Sequence, residues 1–227
     1  MNNLSGKKVL ITGGSSGIGK ATAIDLVGKG AIVCITGRNK AKLEKVASEI
    51  NAIPIHLDVS KYNSIAVKTL DAFHSMGGMD FLINNAGMGE FANLGDKKIN
   101  HFESIFATNV FGLTMLTQEV VKFFKTQQYG MIINIGSSAA TSGFPSGSVY
   151  CASKFALRGL TECWRHELRR DNIRVVLVNP SEVPTAFNNK DRVEREEQEN
   201  KLSSKEISHA IISTINMDKR GFIPELN

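Results

Sequence analysis

Short apolar runs recur along the chain at Val9-Leu10-Ile11, Ile32-Val33-Cys34-Ile35, Ile53-Pro54-Ile55, Phe81-Leu82-Ile83, Met131-Ile132-Ile133 and Val175-Val176-Leu177-Val178. Each is apolar at nearly every position, as in strands buried on both faces. Between them the apolar residues change to helical spacing, as at Ala21, Ile24, Leu26 and Val27, at Leu43, Val46 and Ile50, and at Ile65, Val67 and Leu70. Strand and helix therefore alternate, and right-handed crossovers lay each helix back over the sheet it has left. The pattern predicts an α/β fold, a doubly wound Rossmann-type parallel sheet with helices on both faces. A further helix is expected through Ile207, Ile211, Ile212 and Ile215, and a last short strand near Phe222-Ile223-Pro224.

Length sets the number of units. The 227 residues suffice for one large α/β domain and are too few for two ordinary domains with a linker, so residues 1–227 are read as a single domain. With 42% apolar and 22% charged residues the chain can bury a sizeable core. The formal charge is +5, but the basic residues are scattered, which argues against nucleic acid as a partner. Cys34, Cys151 and Cys163 have neither the number nor the spacing of a disulfide framework. Met1 to Lys8 lacks the apolar core of a signal peptide, and no run of about 18 apolar residues suggests a membrane span. A soluble, cytoplasmic protein without a membrane partner is the expectation.

One composition shift stands out. From Asn188 to Lys201 the charged residues Lys190, Asp191, Arg192, Glu194, Arg195, Glu196, Glu197, Glu199 and Lys201 crowd together. A solvated face or mobile loop accounts for such a run. Because it follows the sixth strand, residues 186–205 are also placed to cover a cleft beyond the strand ends.

Candidate chemistry starts at the first strand's exit, Thr12-Gly13-Gly14-Ser15-Ser16-Gly17-Ile18-Gly19. Gly13 suits a tight turn, Gly17 lets backbone approach a pyrophosphate, and Gly19 lets the next helix pack close to the sheet. The helix start offers unpaired N–H groups to an anion. The spacing G-x-x-x-G-x-G differs from the common dinucleotide G-x-G-x-x-G, so the strand-turn-helix context carries the reading. About 20 residues on, where an acid would hold a ribose 2′-hydroxyl, the chain reads Thr36-Gly37-Arg38. Arg38 suits a 2′-phosphate, which favours NADP(H) over NAD(H) as cofactor. Tyr150 and Lys154 stand four apart on one face of a helical pattern, where an ammonium lowers the phenol's pKa toward the working pH. The histidines His56, His74, His101, His166 and His209 show no metal-ligand spacing, and no metal site is expected.

Four signatures together resemble the short-chain dehydrogenase/reductase family: Thr12-Gly13-x-x-x-Gly17-Ile18-Gly19, Asn84-Asn85-Ala86-Gly87, a serine-tyrosine-lysine set, and Asn179-Pro180. The resemblance covers nearly the whole chain. It implies a sheet of about seven strands and hydride transfer between nicotinamide and a carbonyl or secondary alcohol. By position it implies a catalytic serine at Ser137, with Ser138 as the alternative, to hydrogen-bond the carbonyl. Tyr150 would donate the proton, Lys154 would bind the nicotinamide ribose, and Asn109 would kink its helix and hold a relay water. The implied cofactor contacts are Gly13, Ser15, Ser16, Gly17, Ile18, Gly19, Arg38, Asp58 at the adenine, Val59, Asn85, Ala86, Gly87, Tyr150, Lys154, Pro180, Val183 and Thr185. Where the family usually has Pro-Gly, the chain has Pro180-Ser181, which leaves the backbone less free and brings Glu182 to the cleft mouth. The family also implies a homodimer or homotetramer paired through the helices that follow Phe102 and Tyr150.

An NADP(H)-dependent carbonyl reductase acting on a small molecule is the leading functional reading. A 3-oxoacyl-[acyl-carrier-protein] reductase is an alternative, weakened because Gln127-Gln128-Tyr129 is not basic, although Arg169-Arg170 is. A non-catalytic NADP-binding sensor or scaffold is the other, and the full set Asn109, Ser137, Tyr150 and Lys154 argues against it.

Overall fold

The computed structural model describes residues 4–189, 193–217, 221 and 223–227. Lys190, Asp191 and Arg192 of the charged run, and Phe222 of the expected last strand, lie outside the described residues. The strands are β1 (Lys8–Ile11), β2 (Ile32–Gly37), β3 (Ile53–His56), β4 (Phe81–Asn84), β5 (Gly130–Ile135), β6 (Ile173–Val178) and β7 (Glu225–Leu226). They form one sheet in the order β3-β2-β1-β4-β5-β6-β7, with every neighbouring pair parallel. The helices are α1 (Gly17–Gly28), α2 (Lys40–Ile50), α3 (Ile65–Met76), α4 (Ile99–Phe106), α5 (Leu113–Gln127), α6 (Ser148–Leu168) and α7 (Ser204–Ile215). This is the expected doubly wound, single-domain α/β fold.

Side-chain alternation along the strands divides the interior into two layers. Val9, Ile11, Val33, Ile35, Ile83 and Ile133 point to one face and pack with Ala23 and Leu26 of α1, Leu43 and Val46 of α2, and Ile207 and Ile211 of α7. Leu10, Cys34, Leu82 and Ile132 point to the other, against Ile65 and Met76 of α3, Leu116 and Phe124 of α5, and Leu168 at the end of α6. That double burial is why the strands read as unbroken apolar runs. It also pushes the Cys34 thiol up to about 12, so this sulfur is an inert core group. All three cysteines are free.

Strand order reverses between β1 and β4, and the chain leaves these neighbours in opposite directions along the sheet. A crevice opens at their carboxyl ends. A polar ladder spans the buried region beside it. Asn84 Nδ2 donates to Thr117 Oγ1 and to Asn134 Oδ1, both at 2.9 Å, and Asn134 Nδ2 donates to Thr161 Oγ1 at 2.8 Å. These bonds tie the ends of β4 and β5 to α5 and α6, which fixes the elements that flank the crevice.

Two segments differ from a plain reading of the pattern. The apolar series from Phe102 to Leu116 is broken by a π-helical turn over Ala107–Gly112 between α4 and α5. Asn109, where the family resemblance implies a kink, lies within this π-turn. The last strand lies at Glu225–Leu226, after Pro224. Proline has no N–H to give a ladder, and Pro224 contributes only its carbonyl, which accepts from Leu177 N at 3.1 Å.

Candidate active site

The first turn shapes the crevice floor. Gly13 and Gly17 have φ of +67° and +52°, and a Cβ on Gly13 would lie 3.0 Å from Ala86 Cα. Thr12 Oγ1 accepts from both Asn85 N and Ala86 N at 3.0 Å, and Asn85 Nδ2 donates to Thr12 O and Gly13 O at 3.0 Å. Asn85 is thus a clamp between the two turns, and Thr12 is its partner, which the sequence reading left without a role. Gly19 lets the start of α1 come close to the exits of β1 and β4. A Cβ there would stand 2.5 Å from Gly13 O and from Asn85 Nδ2, so the glycine makes room for the turn and its clamp.

The cleft has a volume of about 940 Å³. Of the residues singled out from the sequence, Gly13, Ser15, Ser16, Gly17, Ile18, Arg38, Val59, Asn85, Ala86, Gly87, Ser137, Tyr150, Lys154, Pro180, Val183 and Thr185 line it. Three do not. Gly19 lies behind the turn, Asn109 lies behind Gly87, and Asp58 turns its carboxylate to Ser60, accepting from Ser60 N at 3.0 Å and from Ser60 Oγ at 2.8 Å. Leu57 and Val59 form that part of the wall in its place.

Further wall residues were not singled out. Lys42 stands beside Arg38, and neither side chain has an ion pair among the described residues. Lys42 occupies the first turn of α2, which brings it next to the end of β2, and its helix periodicity hid this from the sequence. Phe91, Phe144 and Phe187 come from three loops and carry no motif that a sequence reader could use. Ser181 lines the cleft without a left-handed backbone, so the departure from glycine imposes no strain.

At the other end Tyr150 is buried on the first turn of α6. The Ser137 side chain comes close enough to the phenol to pull its pKa down, while Ser137 Oγ accepts from Ala139 N at 3.2 Å. Ser137 is the hydroxyl that meets the phenol, and Ser138 is a cleft neighbour whose backbone N donates to Pro180 O at 2.9 Å. Burial raises the phenol's pKa above 10, and Ser137 offsets this only in part. The expected lowering by Lys154 is therefore not met in the protein alone. The Lys154 ammonium stands 5.7 Å from the Tyr150 ring centroid, and burial lowers its own pKa to about 8. Its Nζ donates to Ile135 O at 2.8 Å, which aims the stem along the cleft floor.

Asn109 is fixed by three bonds. Its Oδ1 accepts from Met88 N at 2.9 Å, and its Nδ2 donates to Met88 O at 2.9 Å and to Ser153 Oγ at 3.1 Å. Ser153 Oγ in turn donates to Tyr150 O at 2.7 Å. A Cβ on Gly87 would lie 3.5 Å from Asn109 Oδ1 and 3.9 Å from Lys154 Nζ, so the π-turn, the exit of β4 and the catalytic-type helix converge here. Among the described residues no group of His, Cys, Asp and Glu is placed to hold a metal ion, and no helix is long and apolar enough to cross a membrane.

An open parallel sheet with a glycine turn at its switch point, and a half-buried serine facing a buried tyrosine and lysine, defines a Rossmann-type α/β protein with an enzyme-like cleft. Residues 7–196 match the family model for short chain dehydrogenase. The chain belongs to the short-chain dehydrogenase family and is an oxidoreductase. It is 34% identical over 195 residues to the NADP-dependent 3-hydroxy acid dehydrogenase of Schizosaccharomyces pombe, covering 82% of this chain and 75% of that protein. The fold matches 3-ketoacyl-(acyl-carrier-protein) reductase from Brucella melitensis complexed with NADH, with a TM-score of 0.88 and 28% identity over 98% of this chain and 96% of that one. It also matches a metagenomic short-chain oxidoreductase in complex with NADP, with a TM-score of 0.86 and 29% identity over 99% and 97% of the two chains.

Proposed function

We propose that the protein is an NADP(H)-dependent carbonyl reductase that interconverts a small-molecule carbonyl and its secondary alcohol. The observation that carries this reading is that Ser137, Tyr150 and Lys154 line one cleft wall, with the lysine ammonium 5.7 Å from the phenol ring.

The cleft suits a phosphorylated dinucleotide. Gly13 and Gly17 leave the turn free of side chains, and Arg38 with Lys42 forms a cationic corner at the end of β2. Ser15, Ser16, Gly17, Ile18 and Thr185 would hold the pyrophosphate, Arg38 the 2′-phosphate, Val59 the adenine side, and Asn85, Ala86, Gly87, Pro180 and Val183 the rest. A bound nicotinamide cofactor would supply the hydride. Ser137 holds the carbonyl oxygen, Tyr150 protonates it, and Lys154 places positive charge beneath the phenol as negative charge develops. A phenol whose pKa is raised keeps its proton at neutral pH, which suits a donor. Asn109 acts through Met88 and Ser153 to hold the end of the cleft in register.

The function is tested by following NADPH absorbance with a panel of ketones, diketones and an acetoacetyl thioester. Turnover of the thioester alone would move the assignment to a carrier-protein reductase, and no turnover at all would return it to a binding protein. Arg38→Ala is expected to lower kcat/KM with NADPH by about 10- to 100-fold, the size of a lost charge-assisted contact, and to change the value with NADH by less than about threefold. Equal losses with both cofactors would show that Arg38 does not read the 2′-phosphate. Exposed Phe102, Phe111 and Phe155 on the faces of α4, the π-turn and α6 support a homo-oligomer formed through these helices.

A further inference from the structure

We propose that the substrate is an uncharged carbonyl compound bearing an aryl or similarly bulky apolar group, recognised by Phe91, Phe144 and Phe187. This rests on the carbonyl-reductase reading. The three rings come from loops after β4, β5 and β6 and meet around the phenol. Ring centroids of Phe91 and Phe187 each lie 5.7 Å from that of Tyr150, and Phe144 lies 6.5 Å from it and 5.6 Å from Phe91. Glycines make the room. A Cβ on Gly89 would stand 2.9 Å from Phe187, and one on Gly147 would stand 2.4 Å from Phe144. Phe91 and Phe144 remain 38% and 45% exposed beside the cleft, so their faces are available to a planar apolar partner.

The charges nearby do not favour a carboxylate substrate. Arg195 commits three of its N–H groups to Thr185 O at 3.1 Å, Glu182 Oε1 at 3.2 Å and Val183 O at 3.4 Å, and its charge is paired with Glu182. Lys154 is buried on Ile135 O, while Arg38 and Lys42 line the far corner by β2. Around the reacting carbonyl the three rings dominate the wall, while the nearby cations Lys154 and Arg195 are already engaged with Ile135 O and Glu182.

The test compares 1-phenyl-1,2-propanedione with acetoacetate, both by NADPH oxidation and by calorimetric binding in the presence of NADP+. The aryl compound is expected to bind and turn over at least about 100-fold better. Phe144→Ala and Phe187→Ala should each raise KM for the aryl compound about tenfold, with much smaller changes for 2-butanone. Equal or better use of acetoacetate, or unchanged KM in both variants, overturns the substrate class and leaves the reductase reading standing. Binding of the aryl compound without any turnover supports the pocket and removes the reductase reading instead.

A different contact carries a second inference. Glu194 Oε1 accepts from Gly17 N at 2.8 Å and Oε2 from Ala186 N at 2.9 Å, 177 residues apart in sequence at the first of these. Ser16, the N-cap of α1, makes no side-chain capping bond, so this carboxylate takes the helix's exposed N–H. We infer that Glu194 is a built-in competitor of the cofactor's pyrophosphate, which must displace it to reach the same donor at the positive end of α1. Neighbouring bonds hold the segment in place, with Arg195 and Lys201 both on Glu182, the latter at 2.7 Å. Titration by fluorescence should show Glu194→Gln binding NADPH about three- to tenfold more tightly than the parent protein. In the parent protein, NADPH should speed hydrogen exchange across residues 193–201. Unchanged or weaker binding in the variant, or slower exchange across the segment, overturns the inference.

Discussion

Tyr150→Phe is expected to lower kcat by about 10²- to 10⁴-fold with any substrate the enzyme reduces, because one oxygen atom, the proton donor, is all that is removed. kcat/KM should fall by the same factor, since the lost interaction belongs to the transition state. NADPH affinity, measured by fluorescence titration, should stay within about twofold. The ring itself is retained among Phe91, Phe144 and Phe187, so the fold should survive the change. A variant that keeps a tenth or more of the parent kcat would remove Tyr150 from the role of acid.

Lys154→Met is expected to abolish turnover and at the same time stabilise the protein at neutral pH. Burial lowers the ammonium's pKa from 10.5 to about 8, a destabilisation of about 3 kcal/mol for holding the charge in the folded state. Methionine removes that cost and loses the bond to Ile135 O, about 1 kcal/mol, so the net gain is about 2 kcal/mol. For a chain of this length the melting temperature should rise by about 4–8 °C. The sign with pH follows from proton counts. Between about 8 and 10.5 the unfolded chain binds more protons at this site than the folded one, so the parent's stability relative to the variant rises with pH across that window. Calorimetric melting of both proteins from pH 7 to 10 measures this, and a constant difference would show that Lys154 titrates alike in both states.

The fold was legible because its strands are buried on two faces and its helices on one, which writes two different periods into the chain. Val9-Leu10-Ile11 could be nothing but a central strand once helical spacing followed it. The glycine turn and the Tyr150-Lys154 pair were legible because their chemistry restricts which residue can stand there. Three things were hidden. The local bonds of Asp58 were not legible, since a serine two residues on offers both an N–H and an O–H to its Oδ1. The phenol's pKa was expected to drop, but burial acts on Tyr150 directly while the lysine's charge stands off the ring. The phenylalanine cage was invisible because its members lie 53 and 43 residues apart, and only the strand order brings their loops together.

Asn179 gives the short rim strand a reach beyond its size. Its Oδ1 accepts from Ser137 N at 3.2 Å, while its Nδ2 donates to Glu225 Oε1 and Asn227 Oδ1, both at 2.8 Å. One amide thus joins the sheet's margin to the hydroxyl that meets the phenol. Damage at that margin, such as replacing Glu225 with alanine, would be felt as a misaligned serine before it was felt as lost stability. Slow catalysis in a well-folded sample would be the symptom of a frayed border.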